Sequence, residues 1–242
     1  MRTAAALIIG NELLSGKIAD ANIIVLARAL RSLGVVFRRV VMVLDDIDVI
    51  AEEVRALSKT HDWLFTSGGV GPTHDDVTID GVARAFGTHV VTDPSMEAML
   101  RTYYGEKVTE GHLLMARMPH GARLASTKSM PWPTVVMNNV WILPGVPEIF
   151  QAKIPLIQAD LGADVPFVSH AVFTTLDEGT IKPMLDRVVA EHPDVEIGSY
   201  PRWSGLEYRT KLTFDGLDVE KVRTARDAFA ASLPEEAVVR VE

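Results

Sequence analysis

The sequence predicts an α/β protein: a three-layer, mostly parallel sheet over residues 1–165, then a small α+β domain of βαββαβ order over residues 166–242. Three observations carry this expectation. Over the first two-thirds of the chain, short β-branched runs alternate with stretches of helical spacing, the grammar of a right-handed parallel sheet with helices on both faces. After "GADVP" (162–166) that grammar gives way to strand, helix, strand, strand, helix, strand within 77 residues, a split βαβ layout. The chain has 242 residues, 48% hydrophobic and 23% charged, which is enough to bury one large core and a smaller one in an ordinary globular protein.

The elements follow in order. "AAALIIG" (4–10) is an apolar run closed by glycine, as in a buried parallel strand. From Asp20 the apolar positions Ile23, Leu26, Leu30 and Leu33 share a helical face, and Gly34 stops it. "VVFRRVVMVL" (35–44) is the second strand. Asp45 and Asp46 are expected to cap the helix that carries Ile50, Val54 and Leu57. "DWLFTS" (62–67) is the third strand, "TIDGVARAFG" (78–87) a helix and "HVVTD" (89–93) a further strand. "PSMEAMLRTYYG" reads as a helix with Pro94 in its first turn, and "EGHLLMARMP" reads as another. "MPWP" (130–133) is extended, because proline restricts the residue before it. "TVVMNNVWILPG" (134–145) is a pair of strands turning at Asn138 and Asn139. "VPEIFQAKIPLIQADL" returns to helix, with a kink or break expected at Pro155. In the tail, "VSHAVFTTL", "VEIGSYP", "EYRTKLTF" and "AVVRV" are strands, and "TIKPMLDRVVAE" and "VEKVRTARDAFAASL" are helices.

Composition excludes several functions. There is no cysteine, so thiol catalysis, thiolate metal sites and disulfides are ruled out, and a cytoplasmic location is expected. The longest apolar runs, such as residues 4–9, fall far short of the roughly 20 residues that span a bilayer. Arg2 before that run resembles the start of a signal peptide, but Gly10, Asn11 and Glu12 end it before any cleavage site. No membrane partner is expected. The net charge is −8; residues 166–242 hold 9 basic and 14 acidic residues, so −5 lies there and −3 in the rest. Neither part is basic, which disfavours nucleic acid as a partner.

The chemistry concentrates in "LFTSGGVGPTHDDVT" (64–78). The third strand ends near Ser67, at the carboxyl edge where open α/β sheets bind ligands. Gly68, Gly69 and Gly71 let the backbone take unusual dihedrals and present bare N–H groups, which with a helix N-terminus cradle an anion. No lysine follows and the spacing is not G-x-G-x-x-G, so this is neither a Walker loop nor a dinucleotide fingerprint. Asp75 and Asp76 come next. Acids beside a bound phosphate are unfavourable unless a divalent cation lies between them. One can cap the following helix while the other ligates, and the sequence leaves both assignments open. Asp45 also stands at a carboxyl strand end, either as a cap or turned toward Asp76. His74 reads as a loop residue bonded locally, and the other six histidines lack metal-site spacing. Trp132 between prolines reads either as a pocket-lining residue or, preferably, as a surface-packing aromatic, and Met96, Met99, Met115 and Met118 read as gap fillers between helices.

"GNELLSGKIADAN" near the start, "TSGGVGPTHDDVT" and "ILPGVPEIF" (142–150), in that order, resemble the molybdopterin-binding domain shared by the MogA, MoaB and gephyrin-type proteins. The chain is most similar to the amino-terminal part of the competence/damage-inducible protein A (CinA) family, whose small α/β domain carries "GSYP", here residues 198–201. It also resembles the corresponding domain of eukaryotic FAD synthases. The resemblance implies a phosphate loop of Ser67, Gly68, Gly69, Val70, Gly71, Pro72 and Thr73, with Gly10, Asn11, Glu12, Asp75, Pro144, Gly145, Pro147 and Glu148 also at the ligand. It implies catalytic and metal-binding roles for Asp45 and Asp76. Ala21 stands where the family carries threonine, and Asn11 where it carries threonine or aspartate; a lost hydroxyl hydrogen bond is worth about 0.5–1.5 kcal/mol.

The expected function is therefore metal-dependent hydrolysis of a nucleotide pyrophosphate of the ADP-ribose or FAD type, with Mg²⁺, Mn²⁺ or Co²⁺. The alternatives are a molybdopterin-binding protein or transferase of molybdenum-cofactor synthesis, and a nucleotide-binding regulator without chemistry. The partner is a small nucleotide or pterin phosphate, and the family implies a homo-oligomer, dimer or trimer. The amidase domain of full-length CinA proteins has no counterpart in these residues, so deamidation is not expected.

Overall fold

The computed structural model describes residues 1–128, 130–162, 164–204 and 207–242, with Pro131 described by its backbone alone. Residues Met1–Asp164 and Val165–Glu242 form two compact units. Of the boundary segment 162–166, Ala163 lies outside the described residues.

The first unit is built on a six-stranded sheet. In chain order its elements are β1 (Thr3–Ile9), α1 (Asn11–Leu14), α2 (Asn22–Ser32), β2 (Val36–Val43), α3 (Ile47–Thr60), β3 (Trp63–Ser67), α4 (Thr78–Ala85), β4 (Val90–Thr92), α5 (Pro94–Tyr104), α6 (Glu110–Leu114), β5 (Arg117–Pro119), β6 (Arg123–Thr127), β7 (Met130–Met137), β8 (Val140–Leu143) and α7 (Pro147–Leu161). The spatial order is β2-β1-β3-β8-β7-β6. β1 runs parallel to both β2 and β3, and β3 parallel to β8; β7 is antiparallel to β8 and to β6. The β7–β8 turn falls at Asn138, whose φ of 53° suits asparagine.

β1 is buried on both sides. Ala5, Leu7 and Ile9 pack with Ile50, Val54 and Val82 from α3 and α4. Ala4, Ala6 and Ile8 pack with Leu26, Leu30, Phe150 and Ile157 from α2 and α7. That alternation makes the three layers. The crossovers leave β1 in opposite senses toward β2 and β3, so the carboxyl ends of β1 and β3 flank the topological switch point where such sheets hold ligands.

The elements depart from the sequence expectation at four points. The stretch 110–119 is not one helix: α6 ends at Leu114, and Arg117–Pro119 pairs antiparallel with Val90–Thr92 in a separate two-stranded ribbon. Arg117 is held there by Asp80 at 2.7 Å, a tertiary contact that local apolar spacing does not encode. The strand at 89–93 thus lies outside the main sheet. Pro155 neither breaks nor ends α7, which runs through it; both Pro155 and Gln151, whose carbonyl loses its helical partner, face solvent. Short α1 and edge strand β6 have no counterpart in the sequence reading.

The second unit comprises β9 (Val168–Thr174), α8 (Glu178–Glu191), β10 (Glu196–Pro201), β11 (Thr210–Gly216), α9 (Val219–Ser232) and β12 (Val238–Val241). Its antiparallel sheet has the order β10-β11-β9-β12, the split βαβ arrangement. Leu212, Phe214, Val222 and Phe229 are among the residues of its own core. Asp177 and Asp218 cap the two helices through backbone N–H groups. No helix among the described residues is long and apolar enough to cross a membrane.

The start of α4 anchors the glycine loop. Thr78 is fully buried; its hydroxyl donates to the Gly68 carbonyl at 2.8 Å and its N–H to the Gly69 carbonyl at 3.0 Å. Thr78→Val keeps the shape but leaves a buried carbonyl unpaired, so it should cost about 1–3 kcal/mol, read as a lower urea midpoint at unchanged slope.

Candidate functional site

The carboxyl ends of four parallel strands meet at one edge. β1 ends in Gly10, whose N–H donates to the Val43 carbonyl of β2 at 3.2 Å, and the Gly68 N–H after β3 donates to the Leu143 carbonyl of β8 at 3.1 Å. The backbones are so close that side chains are excluded. A Cβ on Gly68, at φ 107°, would lie 2.1 Å from the Ile9 carbonyl oxygen. A Cβ on Gly145 would lie 3.2 Å from the Gly68 Cα. Gly69, at φ 64°, leaves room for the Thr78 hydroxyl. Gly71 differs from the expectation: its φ is not positive, and it is small because the Asp76 carboxylate occupies the space. Nor is the Gly68 N–H bare, since it extends the sheet. Among the described residues, the N–H groups of Gly69, Val70 and Gly71 donate to nothing in the protein. Three successive free donors at a strand end are the kind of backbone arrangement that anion-binding concavities use.

Beneath this loop is a pocket of about 640 Å³. Its wall includes Glu12, Ser67, Gly68, Gly69, Val70, Gly71, Pro72, Asp76, Pro144, Gly145 and Pro147, so the structure brings these expected residues together. Gly10, Asn11, Thr73, Asp75, Glu148 and Asp45 are not in the wall. Gly10 is buried behind it, and Glu148 faces solvent.

The acids are arranged differently from the capping expectation. Asp46 alone caps α3, accepting from the N–H groups of Asp48 and Val49. Asp45 turns back to α1: its Oδ2 accepts from the Asn11 N–H at 2.8 Å, and the Asn11 Oδ1 accepts from the Asp45 N–H at 3.3 Å. Neither Asp75 nor Asp76 caps α4, which begins after Val77 without a side-chain cap. Asp76 Oδ2 instead accepts from the Thr73 N–H at 2.7 Å and from the Thr73 hydroxyl, closing the loop on itself. Burial raises the Asp45 pKa above the ordinary carboxylate value; the Asn11 N–H opposes this, and the charges of Glu12, Asp75 and Asp76 add to it. Four carboxylates thus share one field. Among the described residues no three acids or histidines converge as a ready ligand set. His74 is almost fully exposed, 3.9 Å from Asp75.

Other residues in or behind this wall are not among those the sequence assigns to the ligand. Asn22, buried, donates to the Ser67 hydroxyl and to the Gly145 carbonyl, each at 2.9 Å, tying three motifs together. Asp20 accepts from the Ile23 N–H at 2.8 Å, so "ADAN" is a helix start that also positions the loops. Trp132 lines the pocket rather than the surface and packs edge-on against Tyr103. Met96 and Met115 line it too. Lys153, on α7, is 3% exposed and donates to the carbonyls of Trp132 and Pro133 at 2.6 and 3.1 Å. Only its place on the apolar face of α7 could have signalled it.

With this geometry in view, comparison with known proteins places the chain. Residues 5–159 match the family described as a probable molybdopterin binding domain, and the chain belongs to that family. Residues 166–242 match the family described as the FAD synthase middle domain. A protein of Archaeoglobus fulgidus is 33% identical, over 91% of this chain and 93% of its own length. A probable FAD synthase of Caenorhabditis elegans is 34% identical over 88% of this chain, which spans 46% of that relative's length. The crystal structure of CinA from Thermoplasma acidophilum, a protein described as of unknown function, is 31% identical with a TM-score of 0.61, covering 66% of this chain and 98% of that one.

Burial holds the Lys153 pKa at about 8, below the ordinary 10.5. Below pH 8 the amine is charged in both folded and unfolded chains. Between about pH 8 and 10.5 only the unfolded chain keeps the proton, so the folded state gains stability as pH rises. Wild-type protein should therefore gain stability relative to Lys153→Met across that window. Paired urea melts from pH 7 to 11 measure it, and a constant difference would contradict the burial.

Proposed function

We propose that this protein hydrolyses a nucleotide pyrophosphate of the ADP-ribose or FAD type in a metal-dependent reaction. The observation that carries this reading is the row of free N–H groups at Gly69, Val70 and Gly71 in one wall with the carboxylates of Glu12 and Asp76, whose charges also reach Asp45. Bare donors suit phosphate oxygens, whereas carboxylates next to phosphate repel it. A divalent cation reconciles the two. Hard oxygen donors suit Mg²⁺ or Mn²⁺, and Mg²⁺ characteristically takes one or two carboxylates and completes its shell from substrate phosphates and water. The absence of a ready three-ligand set among the described residues is compatible with that mode. Asp76, with Oδ2 held by Thr73, and Asp45, with Oδ2 held by Asn11, would hold the ion. When bound, such an ion supplies charge neutralisation at phosphoryl oxygen and lowers the pKa of attached water.

The chain's own residues would do the rest. The glycine-loop N–H groups would hold the phosphates, Glu12 would border the reacting region, and Trp132, Met96 and Met115 would exclude water from the ligand's ring. The likeness to probable FAD synthases supports a nucleotide ligand. A second reading, binding of molybdopterin or group transfer to it, draws on the family's description and on the apolar wall of a pocket large enough for a pterin phosphate.

The test is a hydrolysis screen of ADP-ribose, FAD and NAD with Mg²⁺, Mn²⁺ and Co²⁺. Asp76→Ala should lower turnover by about two orders of magnitude while ligand binding largely survives; Asp45→Ala should do so less severely. Wild-type rates in both variants would leave the acids as loop-closing groups. Without metal, Asp45→Asn should be at least as stable as wild type, because it relieves the repulsion among the acids. Metal should then raise the melting temperature of wild type more than that of the variant.

A further inference from the structure

Five charged side chains stand in the pocket wall among the described residues: Glu12, Asp20, Asp76, Arg117 and Lys153. Of the two cations, Lys153 turns its ammonium to the carbonyls of Trp132 and Pro133. Arg117 is arranged differently. Its Nη2 donates to Asp80 Oδ1 at 2.7 Å, and among the described residues that carboxylate is the guanidinium's only partner. A guanidinium carries five N–H donors and keeps its charge in proteins, so four donors are left over. The two side chains are 33% and 29% exposed, and charges shielded in this way are screened less than those on an open surface. The bond to Asp80 ties the β4–β5 ribbon to α4, but that role uses one N–H and leaves the rest of the guanidinium facing the cavity.

Asp80 fixes where those donors are. It stands in the first turn of α4, after Thr78 and Ile79, and about 3 Å further along the helix axis than Thr78. Thr78 is the residue whose N–H and hydroxyl hold the carbonyls of Gly69 and Gly68. Ile79, between them, is itself in the wall. The guanidinium is thus anchored to the same helical turn as the glycine loop. The loop's N–H groups carry no net charge. A second phosphate joined to the first brings more negative charge into a wall whose charged groups are mostly acidic. Arg117 is suited to receive it, because the planar fork of a guanidinium matches phosphate oxygens in pairs. We propose that Arg117, oriented by Asp80, takes the second of two linked phosphates, so that the site holds a diphosphate more tightly than a monophosphate. This rests on the reading above, in which the glycine loop takes a phosphate.

The test is calorimetric titration of the full chain, at one fixed Mg²⁺ concentration, with AMP and with α,β-methylene-ADP, whose two phosphates are joined by a link that water does not cleave. Wild-type protein should bind the diphosphate about tenfold more tightly than AMP. Arg117→Met should weaken the diphosphate about tenfold or more and AMP less than about twofold, so that the preference disappears. Arg117→Lys keeps the charge without the fork and should recover part of the preference. Asp80→Asn keeps the guanidinium but loosens its anchor, and should weaken the diphosphate less than Arg117→Met does. Circular dichroism melts check that each variant folds; if Arg117→Met does not, Arg117→Lys and Asp80→Asn decide. Equal wild-type affinity for the two compounds, or a folded Arg117→Met protein that keeps the preference, would overturn the assignment. So would lowered melting temperatures in the Arg117 and Asp80 variants with the preference intact, the mark of a purely structural ion pair. In each of those outcomes AMP binding that is lost in Gly69→Val leaves the glycine-loop reading standing. AMP binding that survives Gly69→Val, or failure of both compounds to bind the wild-type protein, would overturn that reading and the proposal with it.

Discussion

The close approach of Ile9, Gly68 and Gly145 is the constraint on which the site depends. A Cβ on Gly68 would lie 2.1 Å from a backbone oxygen, and one on Gly145 would lie 3.2 Å from the Gly68 Cα. Because no side chain fits there, the loops after β1, β3 and β8 lie against one another as bare backbone. The sheet register continues into them through the Gly68 N–H to Leu143, so the next three N–H groups are presented by a rigid scaffold. Thr78 locks the far side of the loop. The donors are thus pre-positioned before any ligand arrives, which reduces the ordering cost of binding.

Around that centre the polar groups divide into two sets with different chemistry. On the β1–β2 side, carboxylates crowd one another, and burial plus neighbouring charge push the Asp45 pKa upward. In the β7–α7 wall, a buried amine is pushed the other way. Each set carries an electrostatic cost from burial or from neighbouring like charge. Electrostatic strain of this kind concentrates at functional sites.

The small second unit carries its own core and its own helix caps. Its four antiparallel strands pair with one another in a sheet of their own. Its likeness to the FAD synthase middle domain extends the family resemblance beyond the molybdopterin-binding domain, and the match of the whole chain to the Archaeoglobus fulgidus protein shows that the two units occur together elsewhere.

By itself the sequence determined the layering, the parallel strands β1, β2, β3 and β8, the β7–β8 turn, the split βαβ tail and the glycine loop. These follow from period, from β-branched runs and from glycine and asparagine, all of which act over a few residues. Only the tertiary structure decided the rest. It assigned Asp46 alone to capping and turned Asp45 to Asn11, because the choice depends on where α1 lies beside the end of β2. It folded Asp76 onto Thr73 rather than onto α4. It made Arg117–Pro119 a strand, since Thr92 and Asp80 are its neighbours only in the folded chain. It placed Lys153, Thr134 and Trp132 in one wall although the lysine lies about twenty positions further along the chain. Burial and partnership are properties of the assembled layers, and no local pattern in the chain states which polar side chain will be shut in with which.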